Sequence, residues 1–354
     1  MAAPLAESGF RSMRTLVLDL KDRRPVWAMP AWVPARTREA LGGGWEVREI
    51  EADSDGSGDG AGAVHPEVLA AVADAEVYLG YGIPAGILEA GGGLRWVHSA
   101  AAGVFGSLTD EMRSRDVIFT NSAGVHAEPI ADNVLGMMLH FARGFDFAVR
   151  AQHGRQWNKE PFYRADAPIR ELSGSVVGIV GFGGIGRAVH ARVAALGCQT
   201  LALRRRPIPE AIERGEVTWG KESLERLLSE SDYVVLTAPG TRETDGLIDR
   251  AALSRMKASA VLLNVARGHL VDVSALVEAL GRGRLRGAGL DVFRSEPLEP
   301  ESPLWSHPGV LITPHVSAVT DRFWERETDL IVDNIERYLR GDSLRNVVDK
   351  EGGY

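Results

Sequence analysis

Short apolar runs recur along the chain, each closing on a polar or glycine-rich turn. In the first third, residues 15–20 (Thr-Leu-Val-Leu-Asp-Leu), 76–80, 94–98 and 117–120 have the length and apolar character of buried strands, and Trp45-Glu-Val-Arg-Glu-Ile50 alternates as a half-buried strand does. Helices are predicted from near His65-Pro66 and over 84–90. A long helical pattern follows over 127–143, with Ile130, Val134, Met137, Met138 and Phe141 at helical spacing. The methionines read as packing. Residues 151–170 are polar and aromatic and are expected to wrap over a neighbour. A second series of strand-length runs occupies 176–180, 200–203, 233–237, 260–264, 287–293 and 310–313, and a last helix is predicted over 321–340, returning to cover the first domain. Strands alternating with helices in this way predict parallel sheets covered on both faces.

One run carries chemistry in its turn. Val176, Val177, Ile179 and Val180 lead into Gly181, Gly183 and Gly186 at G-x-G-x-x-G spacing, and an alanine-rich helical stretch comes next. Gly181 permits a tight turn, Gly183 lets a pyrophosphate approach the backbone, and Gly186 lets the helix lie against the strand. The helix N-terminus, with Gly184 and Ile185, then faces the phosphates. The expected fold class is therefore α/β, two doubly wound parallel-sheet domains: a Rossmann dinucleotide-binding domain over 123–318 inserted in a flavodoxin-like substrate domain formed by 1–122 and 319–354. Two chain crossings would place a cleft between the lobes.

Composition narrows the class. A length of 354 residues suits two domains, and a net charge of −8 argues against general nucleic-acid affinity. No apolar stretch approaches the ~20 residues of a membrane span, and the N-terminal residues, expected to fray, lack an apolar signal core. A soluble cytoplasmic protein is expected, with no membrane partner. Cys198 is the single cysteine, which rules out an intrachain disulfide and a cysteine-rich metal site; it reads as a small residue in a turn.

Three polar residues follow late strands: Arg267, Glu296 and His315. Reducing a 2-keto acid takes a cation for the carboxylate and carbonyl, which a planar arginine fork supplies. It also takes a proton donor that works near neutral pH, which histidine supplies. A carboxylate beside the histidine favours its charged form. His269 and His307 lie nearby and read as surface residues.

The segments Asn264-Val-Ala-Arg-Gly268, Leu290-Asp-Val-Phe293 with Glu296-Pro297, Ser302-Pro-Leu-Trp305 and Ile312-Thr-Pro-His-Val-Ser-Ala318 resemble the signature of the D-2-hydroxyacid dehydrogenases. Ser99-Ala-Ala-Ala-Gly-Val104 and 124–132 extend the resemblance, although Asp132 stands where that family usually has glutamate. The resemblance implies that Arg267 holds the substrate, that Glu296 orients and charges His315, and that His315 is the acid in reduction and the base in oxidation. Asp291 would hold the nicotinamide carboxamide, with Ala238, Pro239, Val265 and Ala266 along the cofactor. Backbone amides near Tyr81, Gly82, Ala102 and Gly103 would bind the substrate carboxylate. Trp27, Trp32, Tyr78 and Tyr81 could line a pocket or simply pack. Glu296 counts against the formate dehydrogenase branch, which has glutamine there.

Cofactor choice turns on the end of the second strand. NAD enzymes place an acid there, about 20 residues past the glycines; this chain has Arg204-Arg205-Arg206, beginning 18 residues after Gly186. A cation there favours NADP, with Arg204 and Arg205 on the 2′-phosphate and NAD still possible. The triplet is reminiscent of the glyoxylate/hydroxypyruvate reductase branch. The lack of a further domain after Arg340 argues against the long type of phosphoglycerate dehydrogenase. A different class, a nucleotide-sensing protein like the C-terminal binding protein corepressors, resembles the same scaffold. The helix over 127–143 resembles the one that pairs subunits in the family, which implies a homodimer.

Overall fold

The computed structural model describes residues 13–54, 62–165, 167, 169–205, 217–218 and 221–353. The expected frayed start, most of the glycine-rich stretch over 53–63, whose composition predicts a flexible loop, and the third arginine of the triplet, Arg206, lie outside the described residues. The chain divides into two compact units, one formed by Met1–Val125 with Thr320–Tyr354 and the other by His126–Val319.

The first unit holds strands β1 (Arg14–Asp19), β2 (Trp45–Glu49), β3 (Val77–Gly80), β4 (Trp96–Ser99) and β5 (Ile118–Asn121), all parallel in the order β2-β1-β3-β4-β5. That is the flavodoxin-like strand order. Helices α1 (Trp32–Leu41), α2 (Pro66–Val72), α3 (Ala85–Ala90) and α4 (Asp110–Ser114) connect them. The short runs read from the sequence form these strands because every residue of β3 and β4 is buried, which demands side chains on both faces that are apolar or, like His98 and Ser99, hydrogen-bonded.

The second unit carries α5 (Ala127–Ala142), α6 (Phe145–His153) and α7 (Glu160–Tyr163) ahead of its sheet. The strands are β6 (Val176–Val180), β7 (Gln199–Leu203), β8 (Val217–Thr218), β9 (Tyr233–Leu236), β10 (Val261–Asn264), β11 (Gly287–Leu290) and β12 (Val310–Ile312). All are parallel, in the order β12-β11-β10-β9-β6-β7-β8. The six strands from β8 to β11 reproduce the doubly wound dinucleotide-binding order, and β12 extends it at the far edge. One face is covered by α5 and α8 (Gly184–Ala195), whose buried Ile130, Val134, Met137, Met138 and Phe141 confirm packing as the role of the methionines. The other face is covered by α9 (Lys221–Glu230), α10 (Arg250–Arg255) and α11 (Val273–Gly281). Asp132, at the position of the family glutamate, accepts from Arg192 Nε at 2.6 Å and so ties α5 to α8.

The final helix, α12 (Phe323–Arg340), belongs to the first unit. Phe323, Trp324, Glu327, Ile331 and Ile335 form its buried stripe against α1 and the sheet. Glu327 is fully buried and meets His98 Nε2 at 2.8 Å, while His98 Nδ1 lies 2.8 Å from Thr120 Oγ1 on the neighbouring strand. No helix of the described residues is long and apolar enough to cross a membrane.

Candidate active site

The glycine turn has the geometry its spacing predicts. Gly181 has φ +102°, and a Cβ there would lie 2.6 Å from Ala238 N, so only glycine lets β6 turn beside the end of β9. A Cβ on Gly186 would lie 2.3 Å from the Gly181 carbonyl oxygen, whereas one on Gly183 would meet nothing within 4 Å. The first pair shows close packing and the last an open approach. The amides of Gly184, Ile185 and Gly186 have no acceptor among the described residues, and Gly183 caps α8 without a side-chain bond. Such a cradle of amides at a helix start fits a pyrophosphate. Thr237 Oγ1 donates to the Gly181 carbonyl at 2.5 Å, fixing the turn to the segment of Ala238 and Pro239.

The catalytic candidates lie at one edge. β10, β11 and β12 are adjacent and parallel, so their carboxyl ends share a side of the sheet, and Arg267, Glu296 and His315 follow them in that order. Adjacent strands are ~4.8 Å apart, so the outer two are separated by about 10 Å, the scale of one small molecule with its protein contacts. His315 Nδ1 lies 2.7 Å from Glu296 Oε2, and the other Glu296 oxygen accepts from Phe293 N at 2.9 Å. Arg267 is partly buried, donates through Nη1 to the Ala266 carbonyl at 2.7 Å, and pairs with no carboxylate among the described residues. The Asn264 side chain shapes this turn by accepting from Ala266 N and donating to the Arg267 carbonyl. Val265 and Ala266 are buried in it.

Asp291 is fully buried and organises the histidine loop. Its carboxylate accepts from Thr313 Oγ1 at 2.5 Å and from the amides of Val316 and Ser317 at 3.0 Å, and its carbonyl accepts from His315 N at 2.8 Å. His315 itself has φ +54°. A histidine held in the left-handed region costs about 1 kcal/mol or more, which the Asp291 contacts offset. This clamp was not legible in the sequence, because its three donors come from the next strand's loop.

Gly268 was missed as well. A Cβ there would sit 1.9 Å from the Phe293 carbonyl carbon, so the glycine lets the arginine turn lie against the loop leading to Glu296. His269, read as a surface residue, is partly buried beside Gly240, and His307 accepts from Gly309 N at 3.1 Å.

In the first unit, Gly82 N donates to Ser99 Oγ at 3.1 Å and Ala101 N to the same oxygen at 3.3 Å. The amides of Ala102 and Gly103 have no acceptor among the described residues. The Tyr81 hydroxyl donates to the Trp27 carbonyl at 2.7 Å, and burial pushes its pKa up, so the phenol stays neutral. Trp27 packs edge-on against Phe323, Trp32 is partly exposed on α1, and Tyr78 is buried and bonded to Asp19. Tyr78 and Tyr81 also line a recess of about 360 Å³ with Asp19 and His65.

After β7, Arg204 has no ion pair among the described residues, while Arg205 Nη1 lies 3.3 Å from Glu243 Oε2. Phosphate-cradling amides on a doubly wound sheet, with an acid–base pair at the same strand edge, define a nucleotide-dependent oxidoreductase scaffold. Residues 135–317 match the family described as "D-isomer specific 2-hydroxyacid dehydrogenase, NAD binding domain". The chain belongs to the D-isomer specific 2-hydroxyacid dehydrogenase family. It is 31% identical over 320 residues to the D-3-phosphoglycerate dehydrogenase of Mycobacterium leprae, covering 90% of this chain but only 57% of that protein. It is 34% identical over 272 residues to the glyoxylate reductase of Korarchaeum cryptofilum, covering 76% of this chain and 80% of that one. A D-isomer specific 2-hydroxyacid dehydrogenase from Xanthobacter autotrophicus, solved with NADPH and MES, matches with a TM-score of 0.78 and 30% identity over 97% of this chain and 100% of that one.

Proposed function

We propose that the protein reduces a small 2-keto acid of the glyoxylate or hydroxypyruvate type to the hydroxy acid, the D form where the product is chiral, with NADPH preferred over NADH. The observation that carries this reading is the 2.7 Å His315–Glu296 contact at the same sheet edge as Arg267, which has no carboxylate partner among the described residues. A reduced nicotinamide cofactor, held by its pyrophosphate at the glycine turn, would supply the hydride. Arg267 binds the substrate carboxylate and draws electron density from the carbonyl. His315 gives its Nε2 proton to the carbonyl oxygen as charge develops there, and Glu296 at Nδ1 fixes the ring and stabilises the imidazolium. The open amides of Ala102 and Gly103 are the first unit's donors for a carboxylate, with Tyr81 and Gly82 as their scaffold. Arg204 and Arg205 take the 2′-phosphate, and Asp291, beyond holding the histidine loop, keeps a lone pair for the carboxamide.

The name of the Korarchaeum relative supports the substrate, and the NADPH in the Xanthobacter structure supports the cofactor. We assign a homodimer as the working assembly, supported by the exposed Phe145, Trp157 and Tyr163 that follow α5. The test is steady-state oxidation of NADPH and NADH with a panel of 2-keto acids, for the wild type and His315→Asn. Turnover of glyoxylate or hydroxypyruvate is expected, with a loss of about a hundredfold or more in the variant. Tight cofactor binding without turnover of any keto acid would overturn the reading in favour of a nucleotide-sensing interaction protein.

A further inference from the structure

Arg205 stands just past β7, and Glu243 stands in the turn after β9. In the order β9-β6-β7 those strands flank β6, so their ion pair spans the carboxyl end of β6, where the glycine turn begins. The turn that presents Glu243 is tied down. Thr241 N donates to Thr244 Oγ1 at 2.8 Å, Thr244 Oγ1 donates to the Pro239 carbonyl at 2.8 Å, and Asp245 accepts from Arg294 at 2.7 Å. Arg204, one residue earlier, has no such partner among the described residues.

We propose that Glu243 sets the selectivity between the two nicotinamide cofactors by occupying Arg205 with a carboxylate where a 2′-phosphate would otherwise bind. The inference rests on the assignment of the arginines to that phosphate. NADPH then binds by exchanging one anion for another at Arg205, while a 2′-hydroxyl has no charge with which to compete and leaves the pair in place. A phosphate monoester carries ~1.5–2 negative charges and wins the exchange, yet it must displace Glu243 and then sit near it. Glu243 thus tempers the preference that the arginines create. Its side chain is 72% exposed and that of Arg205 44% exposed, so solvent screening keeps the effect modest.

Wild type, Glu243→Gln, Arg205→Gln, Arg204→Gln and the double variant Glu243→Gln, Arg205→Gln are titrated with NADPH, NADH, adenosine 2′,5′-bisphosphate and 5′-AMP, at low and high salt. Glu243→Gln is expected to tighten NADPH and the bisphosphate by up to about fivefold, the upper range for an exposed ion pair. NADH and 5′-AMP stay within about 1.5-fold on the same grounds. The gain shrinks in high salt and disappears in the Arg205→Gln background. Parallel changes for both cofactors, no change, or weaker NADPH binding in Glu243→Gln overturns the assignment of Glu243. If Arg205→Gln and Arg204→Gln both leave NADPH binding unchanged, the 2′-phosphate reading falls with it. If they weaken NADPH while Glu243→Gln does nothing, only Glu243 is wrongly assigned.

Discussion

Gly268→Ala is the most exacting perturbation of the candidate site, because its methyl group is aimed at the Phe293–Arg294 peptide, which is backbone and cannot swing aside. Its Cβ would lie 1.9 Å from the carbonyl carbon and 2.2 Å from the oxygen of Phe293, and 2.3 Å from Arg294 N. Ordinary contact begins near 3.4 Å, so the arginine turn and the Phe293 loop must part by about 1.5 Å. The Phe293 loop is bonded to Glu296 through Phe293 N, so the displacement reaches the carboxylate that holds His315. A misplacement of ~1 Å costs about a hundredfold in rate, while overpacking costs ~1–3 kcal/mol of stability. At 2–4 °C per kcal/mol for a unit of this size, Tm falls by roughly 2–12 °C. The assay pairs kcat for keto-acid reduction with fluorescence titration of NADPH and thermal melting. A folded variant with a hundredfold lower kcat and cofactor affinity within about threefold is expected. Wild-type kcat in Gly268→Ala would show that the two loops need not touch for catalysis.

Glu296→Gln keeps the shape but removes the charge 2.7 Å from His315; kcat should fall about tenfold to a hundredfold with NADPH affinity unchanged, the equivalent of a charge-assisted hydrogen bond. Asp291→Ala leaves a hydroxyl and two amides without their buried acceptor, and urea unfolding should show a loss of about 3–6 kcal/mol. In the first unit, hydrogen bonding from Arg14, against the opposing cost of burial, holds the Glu76 carboxyl below its usual range, with Tyr338 donating to the same group. Its contribution is fully present above an unfolded pKa of ~4.3 and is lost as pH falls through the lower folded value. Glu76→Gln should therefore destabilise by about 1–2 kcal/mol at pH 7 and by progressively less below about pH 4 in denaturant titrations. Trp157 is 92% exposed and Tyr163 74% exposed; sedimentation should show a dimer whose dissociation constant rises at least tenfold in Trp157→Ser, Tyr163→Ser.

Strands were legible wherever both faces are buried, as at Tyr233–Leu236 and Val261–Asn264, because burial on two sides leaves an unbroken apolar run. Most of their ends moved by a residue or two, and the run expected over 287–293 stops three residues early at Leu290, since strand pairing stops where the partner stops. Helices such as Val273–Gly281 and Arg250–Arg255 went unmarked: the first is capped by Asp272 and the second is short, signals that strands dominate in a scan for apolar runs. Residues 151–170 contain part of α6 and all of α7 with solvated aromatics, which composition alone did not resolve. At the candidate site, Arg267, Glu296 and His315 could be singled out from the sequence, but what positions them could not. Asp291 acts on donors 22–26 residues away, and Arg205 meets Glu243 38 residues away. Such pairings depend on which strands are neighbours, information that side-chain type does not carry.

The first unit is assembled from two stretches separated by the whole of the second. During synthesis its opening strands emerge early but lack the Phe323–Ile335 stripe and the Glu327 partner of buried His98 until the segment after Thr320 has been made. The continuous middle portion can complete its core first, inverting the usual N-to-C order of maturation. Until then an apolar face without its covering helix and a histidine without its carboxylate partner leave the nascent N-terminal third exposed to premature association.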